Sequence, residues 1–317
     1  MRLKILHETT YTYTTAVESA HHVAHLQPFE SATQQVHRFA LEIEPRPPTV
    51  HQHTDAYGNT VHHWALHQPH QSLHVRAQSE VQTLELPQPE GSCVSTRWEA
   101  ARDSFRYHAG QTTDLNGQFA FASAHAPLDE AFAQYARTCF TPDHALVLAA
   151  TALMKRMHSD FTYASHSTDI HTPALQALES RRGVCQDFAH ILIACLRSLG
   201  LPAKYVSGYL LTHPPEGQAR LVGSDASHAW AAVYVPGLHS HASAGWLHLD
   251  PTNNRAGWGS PGQDYVQIAS GRDFADVSPL RGILQGGASH SLHVGVTVEP
   301  SEEDEPKDSS HERLPTT

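Results

Sequence analysis

Cysteine is scarce: Cys93, Cys139, Cys185 and Cys195 are the four in a chain of 317 residues, and no two stand in a CxxC spacing. That excludes a disulfide-stapled scaffold and the paired-thiol type of zinc site. No apolar run is long enough to span a bilayer, and Met1 leads straight into a strand-like pattern, so no secretory leader is expected. Basic residues are also in the minority, 21 Lys and Arg against 32 Asp and Glu, for a net charge of −11. Such a charge excludes nucleic acid and an anionic membrane as the main partner. Residues 299–317 hold seven acids (Glu299, Glu302, Glu303, Asp304, Glu305, Asp308, Glu312) against Lys307 and Arg313, so −5 of the −11 lies there. Residues 300–317 read as an acidic disordered tail. The expectation is a protein of the reducing cytoplasm, with no internal repeat.

What is present suits a globular protein: 40% hydrophobic and 17% charged residues, with length enough for two domains. Histidine is abundant, at 27. The clusters His21-His22, His51/His53 and His62-His63 lack HExxH or paired Cys/His spacing, so no metal and no cofactor are expected. Residues 1–90 carry short β-rich runs, Leu3–Tyr13, Val23–Pro28, His37–Ile43, Val61–Leu66 and Ser72–Leu84. Turn signals separate them, among them Asp55-Ala56-Tyr57-Gly58-Asn59, where Gly58 takes the position needing positive φ. This predicts an antiparallel β-sandwich. Residues 91–140 read as a linker and helical bridge. From 141 to 299 the pattern is a mixed core, with a helix opening at Thr141-Pro142-Asp143, another at Thr172-Pro173, and a last strand over Leu292–Val298.

The stretch Arg181-Arg182-Gly183-Val184-Cys185-Gln186-Asp187 predicts a turn that delivers Cys185 to the first turn of a helix. That helix is apolar nearly all round and ends at Gly200, so it is expected to be buried. A thiol there faces unpaired backbone N–H groups and the positive end of the helix dipole, both of which favour thiolate. Arg181 and Arg182 add positive charge nearby. Beyond Pro202 strands are expected over Lys204–Leu211, Ser227–Val235 and Gly245–Asp250. His228, Trp230, Ala232 and Tyr234 share one face, and so do Trp246, His248 and Asp250. A hairpin centred near His239 sets His228 opposite Asp250, where a carboxylate can orient an imidazole toward a thiol. Taken singly, Cys185 reads equally as a buried structural thiol and Asp250 as a cap on the Asp250-Pro251-Thr252 turn.

Arg182-Gly183-Val184-Cys185-Gln186-Asp187-Phe188-Ala189, then Ser227-His228-Ala229-Trp230, then Leu249-Asp250-Pro251-Thr252-Asn253 resemble the three core motifs of the bacterial transglutaminase-like superfamily. Gly200–Tyr209 and Gly271–Gly282 extend the resemblance, and residues 1–90 resemble the β-rich domain often attached to its members. The resemblance implies an α+β chain with a papain-like core in which Cys185 is nucleophile, His228 base and Asp250 orienter. It implies acyl transfer on an amide of a protein or peptide substrate, as peptidase, amidase or transglutaminase. The oxyanion is assigned to the Cys185 N–H and, as a second donor, Tyr163. The rival reading is a non-catalytic peptide-binding protein that keeps the fold.

Overall fold

The computed structural model describes residues 1–89, 95–106, 114–164, 172–212, 227–238, 240–286 and 289–301. The strands of the N-terminal part are β1 (Arg2–Val17), β2 (Ser19–Ala24), β3 (Gln34–Glu44), β4 (Val50–Thr54), β5 (Thr60–Leu66) and β6 (His70–Thr83). They form two antiparallel sheets whose facing sides bury Val17, Ala24, Trp64, Leu66, Leu73 and Val75. In β6 the buried positions alternate along the strand, as a half-covered sheet requires. The sandwich expected for residues 1–90 is therefore present. Two expectations are corrected: the strand expected over Val23–Pro28 is β2, which ends at Ala24, and β4 is unforeseen, being exposed along its whole length with no apolar alternation to betray it.

The remaining strands are β7 (Thr162–Tyr163), β8 (Arg182–Gly183), β9 (Ala203–Leu210), β10 (Ser227–Tyr234), β11 (Trp246–Asp250), β12 (Arg255–Trp258), β13 (Tyr265–Gly271), β14 (Leu280–Gln285) and β15 (His290–Pro300). The last two correct the boundary drawn at 299. β15 zips onto β1 from Leu3↔Pro300 to Tyr13↔His290, and β14 onto β2, so both complete the N-terminal sandwich. The reason is that β1, 16 residues long, offers an open edge, and the alternating run ending at Val298 fits it. The acidic tail beyond Ser301 lies outside the described residues.

The core sheet runs β12-β11-β10-β9-β13, antiparallel throughout. Against one face pack α1 (Trp98–Ser104), α2 (Glu130–Arg137), α3 (Leu146–Asp160), α4 (Ala174–Ser180) and α5 (Cys185–Ser198). Every residue of α5 from Asp187 to Arg197 is buried, and the helix stops at Gly200, which adopts φ +80°. The expected start of α3 is corrected. Asp143 takes φ 62° and ion-pairs with Arg97, so the helix begins only at Leu146. The opposite face of the sheet buries Val206, Trp230, Ala232, Tyr234, Trp246 and Tyr265. A short α6 (Phe274–Val277) follows β13.

The sandwich grips the free edge of this sheet. The Gln34 carboxamide donates to the Gln267 carbonyl and accepts from its N–H, both at 2.8 Å. Asn59 makes the same pair of bonds with Ser270, also both at 2.8 Å. Two side-chain amides thus occupy backbone groups that would otherwise be an open edge. Asn59 is itself set by the Asp55–Asn59 turn, in which Asp55 accepts the Tyr57 and Asn59 N–H groups and Gly58 has φ +87°.

Candidate active site

Cys185 is the first residue of α5, whose N-cap Val184 is extended and supplies no capping side chain. Asp187 fills that role from inside the first turn: its Oδ2 accepts the Val184 N–H at 2.8 Å. The carboxylate passes so close to Gly183 that a Cβ there would lie 2.7 Å from Oδ2. Glycine is needed at 183 for this approach, not for an unusual φ. Arg181 is occupied by aromatic rings. As the left-handed C-cap of α4 (φ 55°), it stacks its guanidinium on Tyr135 at 4.2 Å and Phe161 at 4.9 Å.

His228 and Asp250 come together. His228 Nε2 lies 2.7 Å from Asp250 Oδ2, with the imidazole 8% exposed and the carboxylate wholly buried. The hairpin register differs from the expected one by two residues. Tyr234 pairs with Trp246 and Ala231 with Leu249, which sets Trp230, not His228, level with Asp250. The expected centre of the loop was one residue early, and that moves the register by two. An even shift leaves every side chain on its face, so His228 reaches Asp250 along a diagonal.

Asp250 has five donors. Oδ2 accepts from His228, from the Tyr265 hydroxyl at 2.7 Å and from Asn253 Nδ2 at 2.8 Å. Oδ1 accepts the N–H of Thr252 at 2.9 Å and of Asn253 at 3.3 Å. The turn cap and the imidazole partner are thus one carboxylate used at its two oxygens. With Nε2 committed to Asp250, Nδ1 is the ring nitrogen left for a thiol, and Cys185 at the start of α5 is near enough to this imidazole to favour its cation. Burial disfavours the His228 cation, but the hydrogen bond to Asp250 and the nearness of Cys185 outweigh it and hold the pKa up at about 10. For Asp250 burial acts upward, and the hydrogen bonds from His228, Asn253 and Tyr265 win, keeping the pKa below the ordinary carboxylate value.

Tyr163 sits in β7, paired in parallel with β8 two residues before the thiol, half-exposed and edge-on to Phe188. Burial raises its pKa first, and the neighbouring Cys185 and Asp187 raise it further. Of the other thiols, Cys195 is fully buried and its pKa pushed up by that burial, Cys139 is part-exposed, and Cys93 lies outside the described residues. Tyr265 and Asn253 were missed in the sequence. Asn253 stands inside the third motif and could have been found there; Tyr265 opens a strand that gave no signal.

The histidine clusters divide between the faces of the sandwich: His51 and His63 stack at 5.0 Å and His21 meets His67 at 5.7 Å on the outside, whereas His22 and His62 are buried against Trp64 and Phe39. Among the described residues no three His, Cys, Asp or Glu side chains are arranged to hold a metal ion. No helix of the described residues is long and apolar enough to cross a membrane.

Residues 3–82 match the Bacterial transglutaminase-like N-terminal region, and residues 133–251 match the Transglutaminase-like superfamily. The chain belongs to the transglutaminase-like superfamily. An uncharacterized protein of Mycobacterium tuberculosis is 39% identical over 308 residues, covering 96% of this chain and 94% of that one. A protein-glutamine gamma-glutamyltransferase of Pseudomonas aeruginosa is 31% identical over 134 residues, 40% of this chain and 18% of its own. Among solved structures, a candidate cysteine protease of Cytophaga hutchinsonii superposes with a TM-score of 0.68 at 21% identity, covering 95% of this chain and 92% of the other. That likeness shows the whole α+β fold, sandwich included.

Proposed function

We propose that this superfamily member is a thiol-dependent acyl-transfer enzyme acting on an amide of a peptide or protein, with Cys185 as nucleophile, His228 as acid–base and Asp250 as orienter. The observation that carries the reading is the single imidazole of His228, hydrogen-bonded to a buried carboxylate at 2.7 Å and made more basic by that carboxylate and by Cys185 at the start of α5. An imidazole this basic favours the thiolate–imidazolium pair. The thiolate attacks the carbonyl carbon, forming the S–C bond as the carbonyl oxygen takes up the negative charge. The Cys185 N–H and the Tyr163 hydroxyl are assigned to that oxygen. Collapse expels the amine, which takes its proton from His228, and leaves a Cys185 thioester. Water, deprotonated by His228, then releases the acid.

Hydrolysis is the favoured outcome because water needs no site of its own. Transamidation is the second reading, favoured by the likeness of 134 residues to the Pseudomonas glutamyltransferase. The described cysteines are free thiols, which supports a reducing compartment such as the cytoplasm. A peptide-binding role without chemistry needs no buried His–Asp couple at a thiol. Intact-protein mass spectrometry during incubation with a glutamine-containing peptide library tests the reading. It predicts transient acyl adducts that map to Cys185 and vanish in Cys185→Ala. Adducts absent throughout, or mapping to another cysteine, contradict it. Adding a primary amine divides the two outcomes by product mass.

A further inference from the structure

Tyr265 is the first residue of β13, at the sheet edge held by Gln34 and Asn59. Its ring packs edge-on to Trp230 at 5.3 Å and beside His228 at 6.0 Å, while the Arg255 guanidinium, ion-paired with Asp264, lies over it at 5.0 Å. The residue is 1% exposed, and its hydroxyl donates to the same carboxylate oxygen that receives His228. A buried phenol must find an acceptor somewhere. A purely structural role would be satisfied by any backbone carbonyl. Here the acceptor is the oxygen that holds the imidazole.

Resting on the acyl-transfer reading, the geometry points to Tyr265 as a positioning residue that fixes Asp250 Oδ2 and sets how strongly that oxygen holds His228. Donors on one oxygen share its charge, and here the phenol, the imidazolium and Asn253 Nδ2 share it: what the phenol takes, the imidazolium does not receive. The hydroxyl therefore moderates the basicity of His228, so that the imidazolium can still surrender its proton to a leaving amine. The strand that carries it is clamped by the sandwich, which gives the N-terminal region a part in the geometry of the site.

The sign makes this testable. Tyr265→Phe keeps both ring contacts and removes only the donor. Replacing Tyr265 by 3-fluorotyrosine keeps the shape and makes the phenol a stronger donor. In full-length chain carrying Cys185→Ala, the His228 imidazole is titrated by NMR, its signal assigned among 27 histidines by subtraction of a His228→Gln spectrum. Tyr265→Phe is expected to raise the midpoint by about half a pH unit or more, and fluorotyrosine to lower it. Midpoints coinciding in all three proteins, or moving in the reverse directions, overturn the proposal. The isosteric fluorotyrosine keeps the test alive should Tyr265→Phe fail to fold. With Cys185 restored, the pH profile of its iodoacetamide alkylation should move with the midpoint. A Cys185 that shows no activation in the unmodified chain sinks the acyl-transfer reading, while the imidazole titration still decides the role of Tyr265.

Discussion

Asp250→Asn is the perturbation with the most to say, because a carboxamide fits the space but not the hydrogen bonds. Every neighbour of Asp250 is a donor: His228, Tyr265 and Asn253 Nδ2 at one oxygen, two backbone N–H groups at the other. With the amide nitrogen at Oδ2, the new N–H bonds need a neutral imidazole or a turned phenol to accept them; turned over, they confront the N–H groups of Thr252 and Asn253. In either orientation the imidazolium, which cannot accept, loses its anion. Breaking one side of a buried pair costs on the order of 3–5 kcal/mol. The pH dependence separates this cause from simple misfit. His228 is raised from 6.5 to about 10, so its contribution to stability is complete below pH 6.5 and is lost as pH rises through about 10. Asp250 is lowered from 3.8, so its contribution is present above that value and is lost as pH falls through its folded-state pKa. Urea denaturation of wild type and Asp250→Asn between pH 3 and pH 10.5 should give a stability difference that is largest near pH 5–6.5 and shrinks toward both ends. A difference of the same size at every pH would refute the reasoning.

Gly183→Ala drives a methyl into the Asp187 carboxylate, so it should cost about 1–3 kcal/mol by urea denaturation and slow Cys185 alkylation through a displaced first turn of α5. Gln34→Leu strips both bonds from Gln267 and leaves a buried N–H and C=O of β13 unpaired, a loss on the order of 2–4 kcal/mol by the same measurement. Tyr163→Phe, at a half-exposed position, should leave stability unchanged and slow acylation by p-nitrophenyl acetate by roughly 10²-fold, since an oxyanion donor contributes about that much; an unaltered rate removes Tyr163 from the oxyanion site.

The residues that carry local signals were legible in the chain. Cys185 could be placed at a helix start because Gly183 and the apolar run to Leu199 bracket it. His228 and Asp250 could be placed on one face because strand periodicity survives an even slip of register. What depends on distant parts of the chain was not legible. The alternation over Leu292–Val298 announces a strand but not that β1, at the other end of the chain, is its partner. Arg181 reads as charge beside the thiol, yet the aromatic rings of Tyr135 and Phe161, brought in by other helices, offer it a better seat. Tyr265 had no chance of being read: its importance is a single hydroxyl bond to a carboxylate fifteen residues earlier. Asp250 shows why a bland and a functional reading need not compete, since one oxygen caps the turn and the other holds the imidazole.

The central claim is that one imidazole links a buried carboxylate to an activated sulfur, and alkylation resolved by cysteine tests it most directly. Iodoacetamide applied at pH 7 to the folded chain, with peptide mapping of Cys93, Cys139, Cys185 and Cys195, should label Cys185 at least about tenfold faster than the others, and His228→Ala should abolish that advantage. Faster labelling of any other cysteine, or an advantage at Cys185 that survives the loss of His228, would contradict the account.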